Sequence, residues 1–172
     1  MRGDASLASP TAIAWRWWLL ATSLAAADQI SKLAVSMLMP YGQSIPLTGF
    51  FNLVHLWNTG AAFSLLADAG GWQRYFFIVL TLAVSIVLAL MLRKPRPRAE
   101  ALSYSLILGG ALGNGFDRVV RGHVVDYLDF YWQSWHWPAF NLADTGITCG
   151  VLLLLWSGYR TASEQRSAAG VP

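Results

Sequence analysis

Between Arg74 and Arg93 the chain reads YFFIVLTLAVSIVLALML, eighteen consecutive residues without a charge. At about 1.5 Å of rise per residue, a helix over 72–92 crosses the roughly 30 Å hydrocarbon layer of a bilayer. It stops at Arg93-Lys94-Pro95-Arg96-Pro97-Arg98, four cations within six residues, where the prolines end one helix and delay the next. Such a run constrains the rest of the chain to a membrane setting, and the composition agrees. Of the 172 residues, 55% are hydrophobic and 12% are charged, about half the charged share of an ordinary soluble domain. A net charge of +3 is too small to imply a nucleic-acid partner, and one cysteine, Cys149, excludes an internal disulfide or a multi-cysteine metal cage. Cys149 lies in an apolar run and reads as a buried, inert thiol.

Three more apolar segments follow the same logic. The first, over 17–39, stops at Pro40. Its start, Arg16 followed by WWLLATSLAAA and Asp28, has the pattern of a secretory signal. Apolar character resumes after Asp28, however, and Asp28 and Lys32 stand four apart on one helical face, where they neutralise each other; we read a retained helix. The others run over 99–120 and 141–159. In the third, Gly109, Gly110, Gly113 and Gly115 allow another helix, or a ligand, to approach closely. The expectation is a single-domain, all-α membrane protein with four transmembrane helices. A small extracytoplasmic β-sheet occupies 40–71, between helices 1 and 2, where breakers enclose the β-prone runs FFNLVHLW and AAFSLL. Asn58-Thr59-Gly60 predicts a tight turn. The aromatic segment 121–139 predicts an interfacial loop or a short interfacial helix lying flat between helices 3 and 4. The polar tail, 161–172, predicts disorder. Eight of the twelve basic residues fall at the termini or in the 93–98 connection, which puts both termini in the cytoplasm.

Against this frame, 109–144 stands out, with four of the nine acidic residues: Asp117, Asp126, Asp129 and Asp144. Carboxylates near hydrocarbon are costly and mark function by default. Antiparallel third and fourth helices would bring Asp126 and Asp144 together. Two carboxylates in a partly desolvated site share one proton, so one can activate water while the other protonates a carbonyl oxygen or leaving amine. Motifs for a serine elbow, a zinc protease or a Cys–His pair are absent, and Ser31 and Lys32 are helical neighbours that do not face each other. His55 has no second ligand at metal spacing and reads as structural. Plainer roles stand beside the catalytic one. Asp117 next to Arg118 fits an ion pair, Asp129 a solvated loop carboxylate, and Asp144 a helix N-terminal cap. Proton-coupled transport would use the same carboxylates but shows no repeat symmetry here. A presenilin-type protease wants Gly-x-Gly-Asp, which Gly113-Asn114-Gly115-Phe116-Asp117 exceeds by one residue. A lipid-binding protein would hold an acylated peptide without cutting it.

Five motifs occur in order over 28–144: Asp28-Gln29-Ile30-Ser31-Lys32, Asn58-Thr59-Gly60-Ala61-Ala62-Phe63, Gly110-Ala111-Leu112-Gly113-Asn114-Gly115-Phe116-Asp117-Arg118, Val124-Val125-Asp126-Tyr127 and Phe140-Asn141-Leu142-Ala143-Asp144. With them the chain resembles the lipoprotein signal peptidases, the bacterial signal peptidase II family. The resemblance implies an aspartyl endopeptidase of the bacterial inner membrane, without metal or cofactor. It would remove the signal peptide from prolipoproteins just before a diacylglyceryl-modified cysteine. It implies Asp126 and Asp144 as the catalytic pair, Asn114 and Asn141 as polar residues that orient it, Asn58, Gly60 and Arg118 on the substrate side, and Asp28, Lys32 and Asp117 in support. It also implies membrane lipids as surroundings, a β-cradle and outer helix that clasp the lipidated substrate, and inhibition by the cyclic peptide globomycin. The glycines at 109–115 would leave room for the substrate helix.

Overall fold

The computed structural model describes residues 10–60 and 70–168. Four helices, α1 (Pro10–Leu38), α2 (Trp72–Leu92), α3 (Arg98–Val120) and α4 (Leu142–Ala168), carry a four-stranded antiparallel sheet of β1 (Ser44–Pro46), β2 (Phe51–Asn58), β3 (Val124–Trp132) and β4 (Trp135–His136), in that spatial order. The AAFSLL run, and with it Ala61, Ala62 and Phe63, lies outside the described residues.

Helix α3 is the hub and packs against α1, α2 and α4. Its glycines explain how. A methyl group on Gly109 would meet the Ala21 carbonyl oxygen of α1 at 2.6 Å, one on Gly115 would meet Thr81 of α2 at 2.6 Å, and one on Gly110 would overlap the Ala143 carbonyl oxygen of α4. Small residues here let backbones touch. The space they leave is filled by the chain's own helices, and this corrects the expectation that it houses a substrate helix. Arg74 of α2 closes the far end of α3, donating from Nε to the Arg118 carbonyl (2.7 Å) and from Nη2 to that of Val119 (2.8 Å). Terminal carbonyls of a helix are otherwise unpaired, and a cation there complements the helix dipole. Gly122 then reverses the chain at φ +83°, where a side chain would be strained.

Two helical stretches among the described residues, Trp72–Leu92 and Leu142–Arg160, are long and apolar enough to cross a membrane, with mean hydropathies of 2.7 and 1.3. Helices α1 and α3, of 29 and 23 residues, have the length. Of their charged residues, Asp28, Lys32, Asp117 and Arg118 are buried against neighbouring elements, while α2 turns Val79, Leu82, Ile86 and Leu90 outward.

The sheet differs from expectation in two ways. First, it is shared between both long connections: β1 and β2 come from 40–71, and β3 and β4 from 121–139. Second, 121–139 is strand, not interfacial helix. VVDYLDFYW is rich in β-branched and aromatic residues, and pairing with β2 satisfies its backbone. Leu56 stands opposite Asp126 and Asn58 opposite Val124, with a bulge between Leu53 and Leu56. Val125 and Tyr127 of β3 pack on Val35 and Met39, which ties the sheet to the end of α1. The tail expected to be disordered is helical to Ala168, because TASEQRSA contains no glycine or proline to stop α4.

Candidate active site

Asp126 and Asp144 reach one place through backbone pairing. On the edge of β3 away from β2, Phe140 accepts from the Tyr127 and Leu128 amides (3.0 and 2.8 Å) and donates to the Leu128 carbonyl (3.0 Å). That bridge sets the next residue, Asn141, beside Asp126. Asn141 also starts α4. Its side-chain oxygen accepts from the Asp144 amide (3.0 Å), while the Asp144 carboxylate accepts from the Asn141 amide (3.2 Å). This reciprocal pair is a capping box, in which an N-cap side chain and an acidic residue three positions later satisfy each other's backbone donors.

The amide nitrogen of Asn141 then donates to Asp126 Oδ1 (2.6 Å), so one buried asparagine holds both carboxylates. Asp126 Oδ2 accepts from Asn58 (3.0 Å), whose own oxygen is fixed by the Gly60 amide (3.0 Å) in the tight turn that the sequence predicts. Asp144 Oδ1 accepts from Asn114 (2.7 Å). Both carboxylates line a cavity of about 680 Å³, with Asn58, Asn114 and Arg118 on one side and Trp57, Pro138, Phe140 and Ile147 supplying apolar wall. Asp126 is 3% exposed. Burial, and next the charge of Asp144, push its carboxyl from the 3.8 of an ordinary aspartate to about 7, against the opposing pull of hydrogen bonds from Asn58 and Asn141 and of the Lys32 charge.

Below the pair lies a second buried polar layer. Lys32, 0% exposed, contacts Asp28 Oδ2, Asp117 Oδ2 and Asn114 Oδ1, each at 2.8 Å. Asp28 Oδ1 accepts from the Ala143 amide (2.9 Å), and Asp117 is bonded to Arg121 and to Gln29 (3.1 Å). Arg118 stacks over Phe77 (4.7 Å) and donates to the Gly60 carbonyl (2.8 Å). Its Nε is buried with no hydrogen-bond partner among the described residues. The layer thus joins α1, α3 and α4 beneath the cavity.

The family described as signal peptidase (SPase) II matches residues 20–160. This chain belongs to the signal peptidase II family. It is 60% identical to a lipoprotein signal peptidase of Serratia marcescens over 134 residues, 78% of this chain and 79% of that one. It is 54% identical to that of Aeromonas hydrophila over 153 residues, 87% and 92%. A solved bacterial membrane enzyme superposes with a TM-score of 0.78 at 31% identity, covering 87% of this chain and 90% of its own. Membership makes this chain a membrane-bound protease.

In this signal peptidase II chain, Asp126, Asp144, Asn58, Asn114 and Arg118 line the cavity, Gly60 and Asn141 hydrogen-bond to residues that line it, and Asp28, Lys32 and Asp117 lie in the layer below. Several plainer roles need correction. Asp117 pairs with Lys32 and Arg121, not with its neighbour Arg118, because residues adjacent on a helix diverge. Asp129 is not a solvated loop carboxylate. It is 6% exposed, and accepts from Asn52 (2.8 Å) and His136 (2.9 Å). Cys149 is exposed and lines the cavity, because its face of α4 is turned to that opening and not to a neighbouring helix. His55 is structural: Nδ1 donates to the Met39 carbonyl (2.8 Å) and Nε2 accepts from Trp57 (3.3 Å). Ser31 bonds Tyr127, not Lys32. Sequence reasoning missed the parts of Gln29, Tyr127 and the Asn52–Asp129–His136 clasp. The one available signal was the acidic character of Asp129 in a strand that, Asp126 apart, is apolar and aromatic.

Proposed function

We propose that this chain removes the signal peptide from diacylglyceryl-modified prolipoproteins by aspartyl-dyad hydrolysis, cutting just before the lipidated cysteine. The carrying observation is that Asp126 and Asp144 share Asn141 and line one cavity. Charge supports the same reading. The cavity and the layer beneath it bring together four carboxylates, Asp28, Asp117, Asp126 and Asp144, and three cations, Lys32, Arg118 and the partly exposed Arg121. The set is neutral when the pair carries one proton, and a buried unpaired charge is costly.

One carboxylate of the pair, ionised, takes a proton from water as the water oxygen bonds to the scissile carbonyl carbon. The other gives its proton to the carbonyl oxygen, which leaves a tetrahedral diol. The first then passes its proton to the amide nitrogen as the C–N bond breaks, and the second recovers a proton from a diol hydroxyl. One water is consumed and both carboxylates return to their starting states. Arg118 on the cavity lining sets a positive charge beside a substrate carbonyl, and Asn58 lines the same cavity. The apolar wall of Trp57, Phe140 and Ile147 suits acyl chains arriving laterally from lipid.

We place the enzyme in the bacterial cytoplasmic membrane with all four helices as spans, both termini cytoplasmic and the cavity at the outer face. The 93–98 cations, at the end of α2 remote from the sheet, support that orientation. Globomycin is the inhibitor that the family resemblance implies. The test is cleavage of a diacylglyceryl-modified precursor peptide by purified protein without added metal. Asp126→Asn and Asp144→Asn are each expected to leave a folded protein with turnover reduced at least about a thousandfold; near-normal turnover in either variant refutes the dyad.

A further inference from the structure

We propose that Lys32 is a positioning residue for the reaction: by occupying the side-chain oxygen of Asn114 it directs that amide's N–H groups at Asp144, and so makes Asp144 the ionised member of the pair. The inference rests on the dyad reading above and adds a direction to it.

The geometry leaves few alternatives. A lysine ammonium has three N–H donors and no acceptor. All three are committed, to Asp28 Oδ2, Asp117 Oδ2 and Asn114 Oδ1. The atom of Asn114 that faces Lys32 is therefore the oxygen, and the NH₂ arm is left pointing at Asp144 Oδ1, 2.7 Å away. An NH₂ group only donates, so Asp144 Oδ1 accepts. Its other oxygen accepts from the Asn141 amide. Asp126 also receives two amide donors, but the carbonyl oxygens of those amides, Asn58 and Asn141, are held by neutral backbone N–H groups. Only the donor to Asp144 is backed by a full positive charge. Hydrogen bonds in series polarise one another, so the Lys32–Asn114–Asp144 chain favours negative charge on Asp144 more than the neutral chains favour it on Asp126.

The other charged or titratable groups around the pair do not reverse that preference. Helix α1 presents Asp28, which Lys32 neutralises directly. Helix α3 presents Asp117, paired with Lys32 and Arg121, and Arg118, a cation on the cavity wall. From β3 come Asp126 itself and Tyr127, whose hydroxyl is engaged by Ser31 and the Leu142 amide. The shared proton then resides on Asp126, in line with the rise of that carboxyl to about 7.

The experiment is a pH–rate profile of kcat/KM on the diacylglyceryl-modified peptide, for wild type, Lys32→Met and the charge-balanced double variant Asp28→Asn/Lys32→Met. Without the ammonium, the Asn114 amide is free to turn its oxygen toward Asp144, which favours the protonated acid. The acidic limb of the profile, where the ionised base is lost, is expected to move up by about one pH unit. An activity loss with the limb unmoved overturns the proposal and leaves Lys32 a structural residue. Should neither variant fold, wild type alone decides: site-resolved ¹³C carboxyl NMR is expected to show Asp126 titrating near neutrality and Asp144 ionised throughout that range, and the reverse assignment overturns the proposal. Failure of the dyad itself would appear separately, as retained turnover in Asp126→Asn.

Discussion

Asp126→Asn is expected to stabilise the fold as well as to silence it, by an amount that grows with pH. Burial and the Asp144 charge raise Asp126 from 3.8 to about 7 in the folded chain. The unfolded chain releases that proton near 3.8, so between the two values the folded state binds more protons. Stability therefore falls as pH rises through this window, and the cost is complete above about pH 7. A difference between 3.8 and about 7 corresponds to at most about 4 kcal/mol, of which about 3 kcal/mol develops between pH 5 and pH 8. The new amide has no such titration. It does turn an NH₂ group toward one of the two donors that now serve the carboxylate, Asn58 or Asn141, a mismatch of about 1–3 kcal/mol that does not vary with pH. The diagnostic is thus the slope and not the offset. Unfolding midpoints of wild type and variant in detergent, followed by tryptophan fluorescence at pH 5, 6, 7 and 8, supply it, since titrations of groups remote from the pair cancel in the difference. A stability difference flat across that range would refute the reasoning, because Asp126 would then be ionised throughout.

Three further perturbations bear on the supports of the site. Asn141→Ala removes a helix cap and a buried hydrogen bond to Asp126; about 2–3 kcal/mol of stability and most turnover should be lost, and near-normal thermal midpoint and cleavage would contradict the double role. Gly110→Ala forces a methyl group onto the Ala143 carbonyl and Ile147, next to Asp144, at an expected cost of about 1–3 kcal/mol with reduced turnover, whereas Gly49→Ala, with nothing within 4 Å, should match wild type in the same two assays. Asp129→Leu leaves Asn52 unpaired and releases His136 from β4, which leads into the Trp137–Pro138 wall of the cavity. Steady-state kinetics should show KM rising more than kcat falls, and a loss confined to kcat would count against a wall-positioning role.

Much of the helical frame was legible because its signals are local. Apolar runs bounded by Pro40 and by Pro95 and Pro97 marked where α1 and α2 end. Charges spaced four apart at Asp28 and Lys32 marked a buried pair. The stretch 121–139 was not legible. Its aromatic and β-branched residues suit an amphipathic helix or a strand equally, and what decided was a partner: Asp126 faces Leu56 across a ladder that closes over seventy residues of chain. Asp129 was misread for the same reason, since Asn52 lies 77 residues away. The glycines of α3 announced close approach, but not whose.

The amino-acid order alone thus determined the membrane setting, the ends of the apolar helices and the roster of carboxylates and asparagines, because each depends on side chains within a few turns of one another. Only the tertiary structure decided which of those groups meet. The Phe140–Leu128 bridge sets Asn141 between Asp126 and Asp144, and the buried ammonium of Lys32 settles which way Asn114 turns. Buried polar atoms are costly to leave unpaired, and for Asp126, Lys32 and Asn114 the partners come from distant parts of the chain.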